Sequence, residues 1–387
     1  MRRRTNRFAI AGLGVTEMGR VYGRTPSSFA NEAVRLAIAD AGLSMGDVDG
    51  LLINSPGVLN VRLQHELGLR DTKLLAEYQS FGSSAGGMIQ YAGLAVEAGL
   101  ADVVACVFAD APLREGVSAG VAYARRPPAV GFGALTMAVG YTGANTRYAM
   151  AARRHMLKYG TTSEQFGAVA VQQRQWAAMN PQAQMREPIS LDDHQRSRWI
   201  AEPLRLFDCC LVSNGGVCVI VTSADRAREL RQPPVHVLGF AQAHPGLVLE
   251  RGARFGEVTG AVQSGQRAFA MAGLTPADVD ICQIYDCYTF TVIVSLEDYG
   301  FCEKGEGGAF AASGVLGPGG SLPTNTGGGE LSAWYMWGMT PIAEGIVQAR
   351  GTAGERQVAK HDVVLTSGNG GILDYHSTLI LSPNEAT

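Results

Sequence analysis

The chain has 387 residues, too many for one typical hydrophobic core and enough for two fused units. It is 46% apolar and 17% charged with a formal net charge of -3, which leaves no electrostatic footprint for nucleic acid or for an anionic membrane surface. Its seven cysteines follow no framework spacing and several sit in apolar runs, so they read as reduced, buried thiols of a cytoplasmic protein. Neither CxxC nor HExxH is present, so no metal site is expected.

Met1-Arg2-Arg3-Arg4 followed by apolar Phe8–Val15 has the outline of a leader. The apolar part is short, no small-residue cleavage pattern follows, and Thr16-Glu17 interrupts it, so FAIAGLGV is read as the first β-strand. No uninterrupted apolar run reaches membrane-spanning length. Residues 35–53, RLAIADAGLSMGDVDGLLI, predict a helix, a glycine cap at Gly42, a short loop and a buried strand. Ala101-Asp102-Val103-Val104 opens the strand VVACVF. A longer, more polar stretch follows, roughly residues 111–207, with helices over Arg147–Lys158 and Ser163–Ala178 and the loop MNPQAQMREP. It reads as an insertion lying over a site.

After the strand GVCVIV, the Arg-Gln-Pro-Pro run at Arg231 breaks a helix and marks a boundary. Beyond it the first pattern returns. RAFAMAGLTPADVDICQI at 267–284 sets Ala272-Gly273-Leu274 on Ala41-Gly42-Leu43, and Asp278-Val279-Asp280 on Asp47-Val48-Asp49, at one common offset. His361-Asp362-Val363-Val364 echoes the later strand in the same order. The pattern is a duplicated α/β unit, with halves at 1–232 and 233–387.

Two packed copies of such a unit resemble the thiolase fold, a layered αβαβα arrangement. Several motifs are similar to the sterol-carrier-type thiolases and their thiolase-like relatives. They are Met179–Met185, Pro203–Cys210, Ser213-Asn214-Gly215-Gly216, Tyr285-Asp286-Cys287-Tyr288, Asn325–Ser332 and Gly368-Asn369-Gly370-Gly371. Against that resemblance, the thiolase nucleophilic cysteine falls on Gly82 and the acid/base cysteine on Gly368. The histidine of the family's HDCF-like motif falls on Tyr285, and its glycine–histidine–proline motif falls within Ala333–Gly338, which has no histidine. Acyl transfer through a thioester needs a thiolate that glycine does not supply.

The pair Tyr285 and Tyr335 in the former histidine loops resembles the lipid-transfer-protein-type aldolases of steroid side-chain and cholesterol catabolism. That resemblance implies retro-aldol cleavage of a β-hydroxyacyl-CoA, with Tyr285 as base and Tyr335 returning a proton. Gly370, Gly371 and Ser83 are the candidate oxyanion and substrate-binding groups. No cofactor is expected beyond the CoA of the substrate. A homodimer and a small OB-fold, zinc-ribbon partner are implied by resemblance alone. A phenol has a pKa of about 10, so a tyrosine base needs a helper, and the sequence does not show one.

Other readings stay open at this level. Gly82-Ser83-Ser84-Ala85-Gly86 matches the G-x-S-x-G nucleophile elbow, which would suit a serine acyl transferase or hydrolase, with Asp374 and His376 as partners two apart on a strand. The same small residues equally let a helix pass through a crowded core. Asp286 either orients Tyr285 or a water, or caps the following helix. Trp334 and Trp337 either wall an apolar acyl pocket or belong to the core. A chain without its nucleophile also fits a non-catalytic scaffold subunit that holds acyl-CoA between partner enzymes.

Overall fold

The computed structural model describes residues 8–55, 59–123, 130–140, 143–246 and 254–385; the basic Met1–Arg4 stretch weighed above as a leader lies outside them. The first strand is β1 (Phe8–Val15), buried along its inner residues. Helix α1 (Pro26–Ala41) starts at Thr25, whose hydroxyl accepts from the Ser28 N–H (3.2 Å), with Pro26 in the first turn. It ends at Gly42 in the left-handed region (φ 75°), which releases the chain into β2 (Gly50–Asn54).

Next come β3 (Leu74–Tyr78), α2 (Ser84–Glu97) and β4 (Val103–Asp110). The insertion supplies α3 (Ala144–Tyr159) and α4 (Ser163–Ala178), which contain both helices the sequence predicted. Strand β5 (Gly215–Ser223) then completes the first series.

The second series repeats the first. It runs β6 (Val235–Ala243), α5 (Ala261–Ala272), β7 (Ile281–Ile284), α6 (Thr289–Tyr299), α7 (Met339–Ala349), β8 (Val364–Gly370) and β9 (Tyr375–Ser382). Gly273 (φ 70°) caps α5 as Gly42 caps α1.

Among the described residues these strands form one nine-stranded sheet in the order β3-β2-β4-β5-β1-β6-β9-β8-β7. From its centre outward the first half reads β1-β5-β4-β2-β3 and the second β6-β9-β8-β7, the same path twice. The missing counterpart of β3 is represented by a parallel bridge from Cys282 to Thr324. The halves join where β1 pairs antiparallel with β6, Ala9 opposite His236 and Ile10 opposite Val235.

Helices α2 and α7 pack against strands of both halves, while α1 covers the outer face of the first half and α5 that of the second. The layers are therefore αβαβα. The shared middle layer holds an apolar cluster that includes Phe8, Met88, Ile89, Val219, Met339, Ile342 and Leu379. Both middle helices begin at the loops described next, so the core fixes the position of the site.

Candidate active site

Gly82 lies in the tight turn Phe81–Ser83 that leads into α2. A Cβ placed there would stand 2.3 Å from Cε2 and Cζ of Tyr285 and 2.2 Å from the Asn369 carbonyl oxygen. The phenol ring of Tyr285 thus occupies the volume that a side chain at residue 82 would need. Only glycine is compatible with that ring. At Gly368 a Cβ would meet the Ser377 hydroxyl at 2.6 Å and the Gly82 carbonyl at 2.7 Å. Both positions aligned with thiolase cysteines are filled by other groups.

The Tyr285 hydroxyl lies 3.0 Å from that of Tyr335. Each bearing loop is pinned. The Tyr285 N–H donates to Ser367 O (3.1 Å), and its carbonyl accepts from the Thr291 hydroxyl (3.0 Å). The Tyr335 N–H donates to Ser213 Oγ (2.9 Å), which also accepts from Gln184 Nε2 (2.7 Å). The motifs around Gln184 and Ser213 therefore hold Tyr335 in place.

Burial pushes the Tyr285 phenol well above the ordinary tyrosine range, and Tyr335, Glu330, Cys287 and Tyr148 push it further. Burial likewise raises Tyr335, together with Cys210, Glu330, Cys287 and Tyr123. The leading influences all act upward, so both phenols are protonated at rest.

Backbone strain gathers around this pair. Phe81 (φ 54°), Trp337 (φ 50°), Ile372 (φ 61°) and Leu373 (φ 70°) are non-glycine residues in the left-handed region. They flank Gly82, Tyr335 and the Gly370-Gly371 turn, and such conformations persist where surrounding structure over-determines them.

Gly370 ends β8 opposite Tyr375, and a Cβ there would strike Ser80 O at 2.1 Å, so this turn presses directly on the Gly82 loop. Ser83 departs from expectation. Its hydroxyl donates to Ser80 O (2.9 Å) and Ser80 Oγ (2.8 Å), and its N–H donates to Ser80 O (3.2 Å). Both of its donors are spent inside the turn and none is left for a substrate oxygen. Ser84 is buried and accepts from the Ser80 N–H (2.7 Å), so it serves the start of α2.

His376 lies on β9, bonded to Tyr299 (2.9 Å) and Ser367 (3.0 Å), while Asp374 falls in the preceding turn rather than on the strand. The Asp–His pair offered to an elbow serine is thus directed elsewhere. Asp286 caps a different element from the helix that follows it. Its oxygens accept from the N–H groups of Glu330 (2.8 Å) and Leu331 (3.1 Å), capping the π-helical turn Gly329–Ala333, and burial pushes its carboxyl up to about 7. Trp334 is buried in the apolar middle layer with Met336 and Met339 and borders a small cleft with Asn180, Gln283, Asp286 and Asn325. Trp337 packs between Phe108 (5.1 Å) and Phe81 (6.0 Å).

Two features were not visible in the sequence. The insertion contributes Tyr148 from α3, buried and packed on Tyr288 at 4.5 Å; the Tyr148 hydroxyl accepts from Asn369 Nδ2 (3.4 Å). The spacing of α3 gave a buried face but not its target. The second is Glu330, fully buried with no hydrogen-bond partner on either carboxyl oxygen among the described residues. A carboxylate inside an otherwise small and apolar motif was the available signal.

The thiolase C-terminal domain-like family model matches residues 241–383. The steroid side-chain-cleaving aldolase of Thermomonospora curvata is 41% identical over 378 residues, covering 94% of this chain and 95% of that protein. The 17-hydroxy-3-oxo-4-pregnene-20-carboxyl-CoA lyase of Mycobacterium tuberculosis is 39% identical, covering 94% and 96%. The solved Ltp2-ChsH2(DUF35) aldolase superposes with a TM-score of 0.88 at 38% identity over 98% of each chain. The fold and these relatives place the chain in the thiolase superfamily. Within it, the chain belongs to the thiolase-like, sterol-carrier-type branch that contains the side-chain-cleaving aldolases.

Proposed function

We propose that this protein is a carbon–carbon lyase that cleaves a β-hydroxyacyl-CoA by a retro-aldol reaction, releasing propionyl-CoA or a similar short acyl-CoA and a ketone. The acyl part is bulky and apolar, of the steroid side-chain kind that the names of its relatives describe. One observation carries the reading: the Tyr285 ring fills the space beside Gly82, with its hydroxyl 3.0 Å from Tyr335. A thiolase nucleophile and this tyrosine cannot coexist, whereas a retro-aldol needs no covalent intermediate. The β-hydroxyl yields its proton to the phenolate form of Tyr285 as the Cα–Cβ bond breaks, the O–H electron pair becomes the ketone C=O and the pair of the broken bond passes into a thioester enolate. Tyr335 then gives a proton to the α-carbon and regains one from Tyr285 across the 3.0 Å contact, which restores the phenolate. The turn at Gly370 and Gly371 is the proposed site of enolate-oxygen stabilisation by backbone N–H groups.

The reaction as written calls for no cofactor beyond the CoA of the substrate. We further propose a homodimer and a small OB-fold, zinc-ribbon partner; the structural relative is described together with a ChsH2(DUF35) chain. No described helix is long and apolar enough to cross a membrane, and all seven cysteines are unpaired, which supports a cytoplasmic reading.

The test is incubation with a 17-hydroxy steroid carrying a propionyl side-chain CoA thioester, with and without the candidate partner, reading short acyl-CoA and ketone by mass spectrometry. Cleavage by wild type that is lost in Tyr285→Phe and Tyr335→Phe supports the reading. Cleavage that survives both substitutions removes the tyrosines from the mechanism. Binding of CoA esters without cleavage, partner present, favours the scaffold role instead.

A further inference from the structure

We propose that the small cleft beside the tyrosine loops holds one water molecule anchored by the Asn325 amide, and that Asn325 and this water position the Tyr285–Tyr335 pair. The positioning role rests on the retro-aldol reading; the water site does not.

The cleft has a volume of about 20 Å³, and its lining includes Asn180, Gln283, Asp286, Asn325, Trp334 and Glu344. A water needs about 10–15 Å³ and about two to four polar partners, so the space takes one water and no larger ligand. Its place is specific. Asp286 directly follows Tyr285 in the chain, and Trp334 directly precedes Tyr335. The cleft therefore lies against both of the loops whose hydroxyls meet at 3.0 Å.

Asn325 opens the Asn325–Ser332 motif and stands in left-handed backbone (φ 52°). Most of its hydrogen-bonding groups stitch segments together. Its N–H donates to the Cys282 carbonyl (2.8 Å), its carbonyl accepts from the Gly328 N–H (2.8 Å), and its Oδ1 accepts from the Ile284 N–H (2.7 Å). Ile284 ends β7, one residue before Tyr285. The remaining group, Nδ2, is buried and has no hydrogen-bond partner among the described residues. The Ile284 N–H fixes which end of the amide is oxygen, because turning the amide over would set two donors against each other. A buried N–H₂ group left alone is strongly unfavourable, so this one calls for a partner.

The other partners of a water are at hand. Burial raises the Asp286 carboxyl, and the Asn325 amide is among the groups that draw it back down, yet no direct hydrogen bond joins the two. Polar groups that interact across such a gap are ordinarily bridged by water. Each Asp286 oxygen accepts one backbone N–H, from Glu330 (2.8 Å) or Leu331 (3.1 Å), and a carboxylate oxygen has room for a second donor. Gln283 gives its Nε2 to Thr326 Oγ1 (2.8 Å), which leaves its Oε1 for a donor. The lining also sets the class of occupant. An amide N–H₂ disfavours a cation, and Asp286 and Glu344 disfavour an anion, whereas a neutral molecule that both donates and accepts meets every group.

The water completes a path between the tyrosines. On one side Asn325 holds Ile284 and so the start of the Tyr285 loop. On the other, the water braces Asp286, whose oxygens hold the N–H groups at the head of the turn Gly329–Ala333 that leads to Tyr335.

The test is a crystal structure of the full chain at a resolution that shows ordered water, grown with rubidium and with bromide salts so that an ion in the cleft declares itself by anomalous scattering. Beside it stand Asn325→Asp, which keeps the acceptor for Ile284 and removes the amide donor, and Gln283→Met, which keeps the length and removes the Oε1 acceptor. The expected result is a water peak within hydrogen-bond reach of Asn325 Nδ2 and Asp286, with no anomalous signal. In steroid-CoA cleavage both variants are expected to lower kcat by ~10-fold with KM within about twofold, and their crystal structures to show the tyrosine hydroxyls further apart. A merely structural role would lower the melting temperature and leave kcat per folded enzyme and the hydroxyl separation unchanged. Where Asn325→Asp does not fold, Gln283→Met carries both readouts. A cleft with no water peak, or with an ion, overturns the proposal. Folded variants with wild-type kcat and wild-type hydroxyl separation overturn the positioning role and leave the retro-aldol reading standing. Wild type that cleaves no β-hydroxyacyl-CoA overturns that reading and the positioning role with it, while the density still decides the water.

Discussion

Restoring a side chain at residue 82 tests the central geometric claim. A Cβ there would lie 2.3 Å from two carbons of the Tyr285 ring, where ordinary carbon contacts are about 3.5 Å, so the ring has to retreat by about 1.2 Å. The Asn369 carbonyl at 2.2 Å blocks relaxation in the other direction. Overpacking of this kind costs about 1–3 kcal/mol. A displacement near 1 Å of a reacting group costs on the order of 100-fold in rate.

Gly82→Ala and Gly82→Cys are therefore expected to lower the melting temperature and to lose lyase activity about 100-fold, and the cysteine variant is expected to gain no thiolase activity. The assays are thermal unfolding, steroid-CoA cleavage and thiolysis of a 3-ketoacyl-CoA. A double-mutant cycle makes the reasoning sharper: in a Tyr285→Ala background most of the stability cost of Gly82→Ala should vanish, because the ring it displaces is gone. A Gly82→Cys enzyme with wild-type melting and wild-type cleavage would show that the ring does not claim that space.

Three further outcomes are expected. Tyr285→Phe and Tyr335→Phe each lower kcat by about 100- to 10,000-fold with the fold intact by circular dichroism, and the double variant is little worse than either single one, because the hydroxyls act as a unit. Tyr148→Phe, which removes the acceptor of the Asn369 amide, raises KM in steady-state kinetics while kcat stays within about threefold. His376 is buried and its pKa is lowered to about 3, so above the unfolded value near 6.5 it costs nothing, and acidification favours the unfolded chain, which alone takes the proton. The resulting loss is about 2 kcal/mol near pH 5, and His376→Gln should flatten that part of the melting-temperature profile.

The sequence carried those features that are local. Gly42 and Gly273 cap two equivalent helices at left-handed positions, and each is legible from its neighbours. The tyrosines were legible because they stand in motifs whose surrounding residues still match the superfamily. What was hidden depends on contacts between distant segments. The pairing of β1 with β6 draws two halves into one sheet, although neither strand names its partner. Ser83 looked like a substrate ligand because its motif is exposed to view in the sequence, while the turn that absorbs its proton exists only in three dimensions. Tyr148 lies in the insertion, whose helical pattern tells which face is buried but not against what.

Gly82 shows how a lost catalytic group is better understood as an exchanged one. Read along the chain, glycine at the nucleophile position is a deletion. Read in space, it is the condition for a phenol to enter from the other half of the molecule, since any larger residue meets that ring. The strained residues agree with this. Phe81 beside Gly82, Trp337 beside Gly338, and Ile372 and Leu373 after the Gly370-Gly371 turn hold left-handed backbone where ordinary side chains resist it. That strain falls on the loops that bring the tyrosine hydroxyls together, and the αβαβα core offsets it by anchoring α2 and α7 where those loops end. The scaffold thus keeps the thiolase positions and sets two facing phenols where a sulfur nucleophile would stand. A retro-aldol calls for no covalent intermediate, only a proton taken from the β-hydroxyl as the Cα–Cβ bond breaks and one returned to the α-carbon.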